Sequence, residues 1–407
     1  MRAAIFNVVD FTMYSMAWAV LKVSSLFLRA LKKDSPDQRM NVLVFANQAI
    51  GDTIIKVPFF FALRKEFPKD KYRITVVLSP SMAPALSRMG CFDDVVAESV
   101  PPYRHAFFWV FGRLGFAAKS LRWALRNKVE VFFACDRYRD LGVDFARSLC
   151  RPALSMAYDT SMVSSLFPVS ARIQKLVYDK GYSLLQKPSS GRHQIEDVFS
   201  FLSFAVGRKI APAMVDAAKL APMVDLSVSE KYGLTGGEYL VLVPGAAAVY
   251  RRWPAERFAE IAKIVGGKIV VVGSKEESGL TVEISAKSGL PVSDLCGKTD
   301  ICQLLGVISR AKIVVSNETG AANCAAILGV KTVCILGGGD FGSFFPNKFC
   351  ANSVSVFHMD DCFSCAWKCK DSSFNAQSCA PCIDRISADE VAHAIRVITD
   401  SRRFSHE

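Results

Sequence analysis

The sequence has little charge for its length, and no long uncharged hydrophobic run. Charged residues make up 22% of the 407 and hydrophobic residues 51%. This balance excludes a disordered chain, which needs more charge and fewer apolar residues. No apolar run approaches the length that a polytopic membrane protein requires. Internal repeats and low-complexity segments are also lacking. The composition therefore indicates a globular protein long enough for two or three domains, and the mean hydropathy of +0.24 suggests some membrane contact.

The sequence contains parts of two common nucleotide-binding motifs, but neither motif is complete. Gly337-Gly338-Gly339 lacks the spacing of a G-x-G-x-x-G loop. Gly297-Lys298-Thr299 would end a Walker A loop only with glycine at position 292, where this chain has Val292. The chain also carries no nucleic-acid recognition module. These absences exclude a P-loop enzyme and argue against a nucleic acid as partner.

The net positive charge of the protein comes from the first half of the chain. Residues 1–220 hold 31 lysines and arginines against 18 aspartates and glutamates, a net charge of +13. Residues 221–407 hold 19 against 20, a net charge of −1. The first half is therefore expected to face an anionic partner such as a phospholipid surface or an anionic glycolipid.

Residues 1–38 read as a separate N-terminal segment. Between Arg2 and Arg29 the only charges are Asp10 and Lys22. The uncharged run Phe11–Leu21 is too short to span a bilayer. We expect an amphipathic, membrane-associating helix followed by a polar linker. A packed amphipathic helix, a longer true span and a signal peptide remain alternatives.

Two series of alternating strands and helices follow. The first opens with a strand at Val42–Phe45 and a helix from about Thr53 to Phe67, and the second with a strand at Tyr239–Val243 and a helix at Ala255–Val265. Such alternation indicates parallel sheets. We therefore predict an α/β protein with an N-terminal domain over 39–220 and a C-terminal domain over 221–407. Ligands would bind in the cleft between them, at the carboxyl ends of the strands.

Three loops at strand ends carry the candidate site. Gly51 permits a tight turn, and Asp52 after it suits either a helix N-cap or a general base. Arg251 and Arg252 follow a Pro-Gly turn and suit either a diphosphate or a solvated surface. The segment Ser316–Asn323 begins an alanine-rich helix, whose free N–H groups can bind an anion.

Taken together, these loops resemble one family, the glycosyltransferase family that contains the lipopolysaccharide heptosyltransferases. The resemblance extends over about residues 41–398. It rests on Ile50-Gly51-Asp52 with Pro58, on Pro244-Gly245-Ala246 with Arg252–Phe258, on Leu295–Thr299, and on Ala311–Gly329 with Val333–Gly337. It implies a GT-B fold, in which two Rossmann-like βαβ domains face a central cleft and the C-terminal domain holds a nucleotide sugar.

The resemblance also implies a reaction, the transfer of a sugar with inversion and without a catalytic metal or cofactor. Asp52 would be the general base, the donor would be ADP-heptose, and the acceptor would be a lipopolysaccharide core or similar anionic glycolipid. Such an enzyme would be peripheral, at the cytoplasmic face of the cell membrane. The matching motifs imply Gly51 on the acceptor side and the donor-binding residues Gly245, Arg251, Arg252, Glu318, Thr319, Gly320 and Ala321.

The donor helix departs from the family pattern. The family usually reads Asn-Asp-Ser/Thr-Gly-Pro-x-His, whereas this chain has Glu318, Ala321 and Asn323 in place of the aspartate, proline and histidine. The longer Glu318 would shift a sugar contact by about one methylene, and Asn323 cannot be protonated. A sugar-nucleotide epimerase on the same fold and a non-catalytic nucleotide-binding scaffold therefore remain alternatives.

Thirteen cysteines without a secretory context suggest reduced thiols or metal ligands rather than a disulfide framework. Five of them lie in a predicted loop over 360–383. Its two Cys-x-x-Cys pairs suit a structural zinc or iron site formed by Cys362, Cys365, Cys379 and Cys382. A disulfide and free thiols remain alternatives. No histidine or carboxylate set accompanies the thiols, so a catalytic metal is not expected there.

The segment 103–128 interleaves basic and aromatic residues. An ordinary amphipathic helix with aromatic core residues would produce the same pattern. We predict a membrane-surface element that also meets the anionic acceptor. Its basic residues include Arg104, Arg113, Lys119 and Arg122.

Overall fold

The computed structural model describes residues 37–98, 128–139, 141–161, 171–172, 174–188, 192–234 and 236–400. Almost all of the predicted N-terminal helix and linker lies outside these residues. So do the basic residues Arg104, Arg113, Lys119 and Arg122, whose predicted role is therefore untested. Within the described ranges, no helix has the length and apolar character to cross a bilayer.

The first half of the chain forms a six-stranded parallel sheet. Its strands run β3-β2-β1-β4-β5-β6 across the sheet. Six of the seven residues of the central strand β1 are buried, as expected of a parallel strand covered on both faces. The strands are β1 (Met40–Ala46), β2 (Tyr72–Leu78), β3 (Asp94–Ala97), β4 (Val129–Ala134), β5 (Leu154–Tyr158) and β6 (Leu184–Gln186).

Short and medium-length helices accompany this sheet. The predicted helix over 53–67 is two helices, and the first of them begins earlier, at Ile50. The second has Pro58 in its first turn, where a proline is tolerated because its missing N–H would be unpaired there. The helices are α1 (Ile50–Ile54), α2 (Val57–Glu66), α3 (Ala83–Leu86), α4 (Leu141–Cys150) and α5 (Gln194–Val206).

The second half repeats the plan with another six-stranded parallel sheet, in the order β12-β11-β10-β7-β8-β9. The predicted strand at Tyr239–Val243 and helix at Ala255–Val265 have the expected bounds. The strands are β7 (Tyr239–Val243), β8 (Lys268–Val271), β9 (Val292–Asp294), β10 (Ile313–Asn317), β11 (Thr332–Ile335) and β12 (Ser353–Val356). The helices are α6 (Ser227–Lys231), α7 (Ala255–Val265), α8 (Ser278–Ser288), α9 (Ile301–Ser309), α10 (Gly320–Ile327), α11 (Pro381–Asp384) and α12 (Ala388–Thr399).

Each sheet has a point where the strand order reverses, between β1 and β4 in the first and between β7 and β10 in the second. Open α/β sheets bind ligands at such points. A buried polar side chain stabilises each of them. Asp136 Oδ2 accepts a hydrogen bond from the Asn47 N–H at 2.9 Å. Asn317 Nδ2 donates to the Pro244 carbonyl at 2.7 Å.

The two sheets approach each other closely through two glycines. A Cβ on Gly51 would lie 3.2 Å from the Gly320 Cα, and a Cβ on Gly320 would lie 3.0 Å from the Gly51 nitrogen. Side chains at these positions would push the halves apart. The start of α1 is thereby held against the start of α10, on opposite sides of one cleft.

Candidate functional site

A cavity of about 640 Å³ lies in this cleft, where the carboxyl ends of the two sheets face each other. The first half contributes the loop between β1 and α1, and the second half contributes the loops after β7, β8 and β10. The structure brings together eight of the predicted site residues in the cavity lining. They are Gly51, Asp52, Gly245, Arg251, Glu318, Thr319, Gly320 and Ala321.

Asp52 lines the cavity and does not cap a helix. The N-cap of α1 is Ala49, so the N-cap alternative for Asp52 is wrong. Asp52 lies in the first turn, is half-buried, and lines the cavity. Its Oδ1 accepts a long hydrogen bond, 3.4 Å, from Gln194 Nε2 at the start of α5. Among the described residues, the carboxylate thus has only this long hydrogen bond, and it lines the cavity.

A buried ion pair supports the loop that carries Asp52. Lys56 is fully buried, and its Nζ lies 3.4 Å from Asp136 Oδ1 and 3.4 Å from Gln48 Oε1. Burial raises the pKa of Asp136 to about 6, although the charge on Lys56 opposes the shift. Sequence reasoning missed this pair. The one local sign of this pair in the sequence is a lysine, Lys56, directly before the apolar helix α2.

The two predicted arginines have different positions. Arg251 lines the cavity, with Nη2 3.3 Å from Glu318 Oε2 and Nη1 3.8 Å from Asp340 Oδ2. Arg252 instead donates from Nε and Nη2 to the Ala246 carbonyl, at 3.0 and 2.8 Å. Arg251 therefore lies in the cavity wall beside two carboxylates, whereas Arg252 bonds to its own loop, with Nη2 3.7 Å from Glu277 Oε1.

Several buried polar atoms at the cavity have no hydrogen-bond partner among the described residues. They are Glu318 Oε1, Asn323 Oδ1 and Arg251 Nε. Glu318 and Asn323 are almost fully buried, at 7% and 3% exposure. Leaving such groups unpaired costs about 1–3 kcal/mol each, so water or a polar ligand in the cavity would be expected to bond them.

Glu318 has an altered proton affinity. Burial raises its pKa to about 7, and the neighbouring Arg251 opposes the shift. Between about pH 4.5 and pH 7 the folded protein therefore keeps a proton that the unfolded chain releases. The contribution of Glu318 to the free energy of unfolding is therefore fully present below about pH 4.5. It is lost as the pH rises to about 7 and above.

Replacing Glu318 by glutamine should remove this pH dependence. We expect E318Q to raise Tm by several degrees at pH 8, since ionising the buried carboxyl costs about 3 kcal/mol, and to leave Tm unchanged at pH 4.5. Thermal unfolding across this range measures the effect. The exposed Glu256→Gln serves as control and should shift neither value. Equal shifts for E318Q at both pH values would contradict the assignment.

Two further cavity features escaped sequence reasoning. A Cβ on Gly245 would overlap the carboxylate of Glu277, which lines the cavity beside it. Ser274 and Glu277 form a capping box at the turn after β8, and the S-x-x-E spacing was a detectable signal. A side chain at position 245 would therefore have to displace the Glu277 carboxylate.

In the cysteine-rich loop, the four cysteines that lie around one cavity are not the four predicted from the spacing. Cys362, Cys365, Cys369 and Cys382 line one small cavity of about 30 Å³. Cys379 does not line this cavity, although it packs, as Cys382 does, against the core of the second sheet, and burial raises its pKa to about 12. As placed in the part of the chain that the structure describes, no three His, Cys, Asp or Glu side chains are grouped to hold a metal ion.

Comparison with known proteins identifies the family. Residues 152–366 match the model of glycosyltransferase family 9 (heptosyltransferase). The chain is 23% identical over 312 residues to lipooligosaccharide heptosyltransferase 2 of Haemophilus ducreyi, covering 71% of this chain and 80% of that protein.

Solved structures share the fold. A glycosyltransferase family 9 protein from Veillonella parvula superposes with a TM-score of 0.64 at 15% identity, covering 90% of this chain and 99% of that one. The E. coli heptosyltransferase WaaC with ADP superposes with a TM-score of 0.63 at 15% identity, covering 88% and 100%. The predicted fold of two facing α/β domains is confirmed.

Proposed function

The chain belongs to glycosyltransferase family 9, and from this premise we propose that it transfers a sugar from a nucleoside-diphosphate sugar to a hydroxyl group with inversion at the anomeric carbon. The cavity between the two sheets supports this proposal. It holds a carboxylate on one wall and, on the other, a cation beside a helix N-terminus. These are the groups that a single-displacement transfer needs.

In the proposed step Asp52 takes the proton from the acceptor hydroxyl as its oxygen attacks the anomeric carbon. The new carbon–oxygen bond forms as the bond from that carbon to the diphosphate breaks. The bonding electrons leave with the diphosphate. The products are the glycosylated acceptor and a nucleoside diphosphate.

The departing diphosphate would be stabilised by Arg251 and the N-terminus of α10. Thr319 caps that helix, with its Oγ1 accepting from the Ala322 N–H at 3.4 Å, and Thr319, Gly320 and Ala321 line the cavity. Helix N-termini and guanidinium groups both stabilise phosphate charge. We propose that these groups carry the leaving-group charge without a catalytic metal.

The sugar would satisfy the unpaired acceptors of the cavity. Glu318 Oε1 and Asn323 Oδ1 can each accept a hydrogen bond from a sugar hydroxyl, and Arg251 Nε can donate to a phosphate oxygen. We propose ADP-heptose as the donor, since the curated relative is named a heptosyltransferase and a related solved structure contains ADP. The acceptor would be a lipopolysaccharide core or similar anionic glycolipid, reached from the cytoplasmic face of the membrane.

A thermal-shift panel of ADP-, UDP-, GDP- and CMP-linked sugars tests the donor class. A ligand at 100 times its Kd stabilises the folded state by about 2.7 kcal/mol, which moves Tm by a few degrees. We expect the adenosine donors alone to produce this shift. Stabilisation by none of them would contradict the proposal, and turnover of a donor without acceptor would indicate an epimerase.

We also propose that the cysteine-rich loop holds a structural metal, with Cys369 rather than Cys379 in the ligand set. Four thiols around one cavity suit zinc or iron, and binding would draw them together and release their protons. The ion would stabilise the loop and take no part in the transfer.

A matched pair of cysteine variants tests this ligand set. Cys369→Ala should lower the metal content of the purified protein by at least half, because a three-thiolate site binds more weakly. Cys379→Ala should retain the metal, since Cys379 does not line the cavity that the other four cysteines share. Metal content by mass spectrometry measures both. If only the Cys379 variant loses metal, the ligand set is the one expected from the spacing, with Cys379 and without Cys369. A wild-type protein that contains no metal would refute the site.

A further inference from the structure

The three consecutive glycines at 337–339, which no nucleotide-binding motif explains, form the docking strip of the cysteine-rich loop. The strip follows β11. The Ser364 N–H donates to the Gly338 carbonyl at 2.6 Å, and the Ala366 N–H donates to the Gly339 carbonyl at 3.0 Å. Both bonds run from N–H groups of the loop to carbonyl groups of the strip, and they fix the loop against it.

The missing side chains of the strip make room for two aromatic rings. A Cβ on Gly337 would lie 2.7 Å from the indole of Trp367, and a Cβ on Gly339 would overlap that indole. A Cβ on Gly338 would lie 2.8 Å from the ring of Phe363. Alternate glycines therefore receive different rings, Trp367 on one face of the strip and Phe363 on the other.

Trp367, which belongs to this loop, contacts Arg251 in the wall of the donor cavity. The guanidinium carbon of Arg251 lies 5.2 Å from the centre of its ring, within range of a cation–π contact. The indole N–H donates to Asp340 Oδ2 at 2.8 Å, and Asp340 in turn lies 3.8 Å from Arg251 Nη1. One side chain of the cysteine-rich loop therefore contacts both Arg251 and the carboxylate beside it.

We propose that Trp367 is a positioning residue for the donor site, which orients Arg251 toward the diphosphate and so makes donor affinity depend on the docked cysteine-rich loop. This inference rests on the proposed function, in which Arg251 binds the diphosphate. The indole acts through Arg251 and need not touch the substrate.

The physical reason lies in the freedom of a long cationic side chain. An unrestrained arginine side chain loses rotamer entropy when it binds a phosphate. An arginine that is already stacked on an indole ring has lost this entropy before binding, so the phosphate binds more tightly. The loop also adopts a costly conformation to present the indole, because Ser364, Ala366 and Trp367 all have positive φ, at 65°, 50° and 60°. Non-glycine residues rarely adopt this region unless their surroundings hold them there.

Titration of ADP into the full-length protein tests the inference. Trp367→Leu should weaken ADP binding by about three- to tenfold, the range of a partly buried cation–π contact. Phe363→Leu is the matched control. Its ring packs on Phe341, Phe357 and the same glycine strip without contacting Arg251, so ADP affinity should stay at the wild-type value.

A double-mutant cycle separates positioning from a general effect on the fold. If Trp367 acts through Arg251, adding Trp367→Leu to an Arg251→Ala protein should not weaken ADP binding further. An equal loss in both backgrounds would overturn the inference, as would unchanged affinity in Trp367→Leu. A wild-type protein that binds no ADP would overturn both this inference and the proposed function.

A second pair of variants, in the glycine strip, tests the same contact between Trp367 and Arg251. Gly339→Ala should displace the indole and weaken ADP binding as Trp367→Leu does, whereas Gly338→Ala should disturb only Phe363 and leave affinity unchanged. Equal losses in the two variants would also overturn the inference, because the strip would then act through folding alone.

Discussion

Replacing Asp52 by alanine or asparagine is expected to lower kcat by about 10²- to 10⁴-fold, the range for loss of a general base. Asp52 lines the cavity opposite the loops that would hold the diphosphate, so neither variant should change the Kd for ADP. Asparagine keeps the shape of the side chain and can still accept the hydrogen bond from Gln194. Its loss of activity would therefore report the missing proton acceptor. Steady-state kinetics with ADP titration measures both quantities.

A positioning control accompanies this experiment. Gln194→Leu removes the 3.4 Å contact to Asp52 but leaves the carboxylate, so its effect on kcat should be far smaller than that of either Asp52 variant. Asp52 would be a binding residue instead if its replacement weakened ADP affinity as strongly as it reduced turnover.

Replacing Arg251 by alanine is expected to lower kcat by about 10²- to 10³-fold, as for removal of one preorganised donor to developing charge. It should also weaken ADP binding about ten- to a hundredfold, because a hydrogen bond to a charged group contributes about 1.5–3 kcal/mol. Both effects follow from its place in the cavity wall. The same kinetic and binding measurements apply.

The neighbouring arginine provides the matched control. Arg252→Ala removes the same charge from the next position, but the side chain it removes donates to the Ala246 carbonyl. We expect a smaller loss of ADP affinity than for Arg251→Ala. The reverse order would contradict the assignment of the phosphate-facing role to Arg251.

Much of the fold and half of the site could be predicted because they are local in sequence. Strands such as Tyr239–Val243 are short apolar runs that end in a turn, and the alternation of such runs with helices indicates parallel sheets. Asp52, Arg251 and Glu318 follow strand ends, and strand ends of a parallel sheet meet at one edge. It could therefore be predicted that these three residues lie at one cleft, although the contacts between their side chains could not.

The remainder depends on contacts between distant segments. The ion pair of Lys56 and Asp136 joins residues 80 positions apart, and the spacing of the cysteines could not reveal that Cys379 packs into the core while Cys369 faces the other thiols. The glycines at 337–339 were visible in the sequence. Their purpose was not, because the indole that they accommodate comes from a loop folded back onto them.

The most direct test of the account is the structure of the product formed from ADP-heptose and a glycolipid acceptor, determined by mass spectrometry and by NMR of the new glycosidic bond. We predict one heptose added per acceptor, one ADP released, and an anomeric configuration opposite to that of the donor. A product that retains the donor configuration would contradict inversion by a single displacement with Asp52 as base. Consumption of ADP-heptose without a glycosylated acceptor would contradict the transferase function itself.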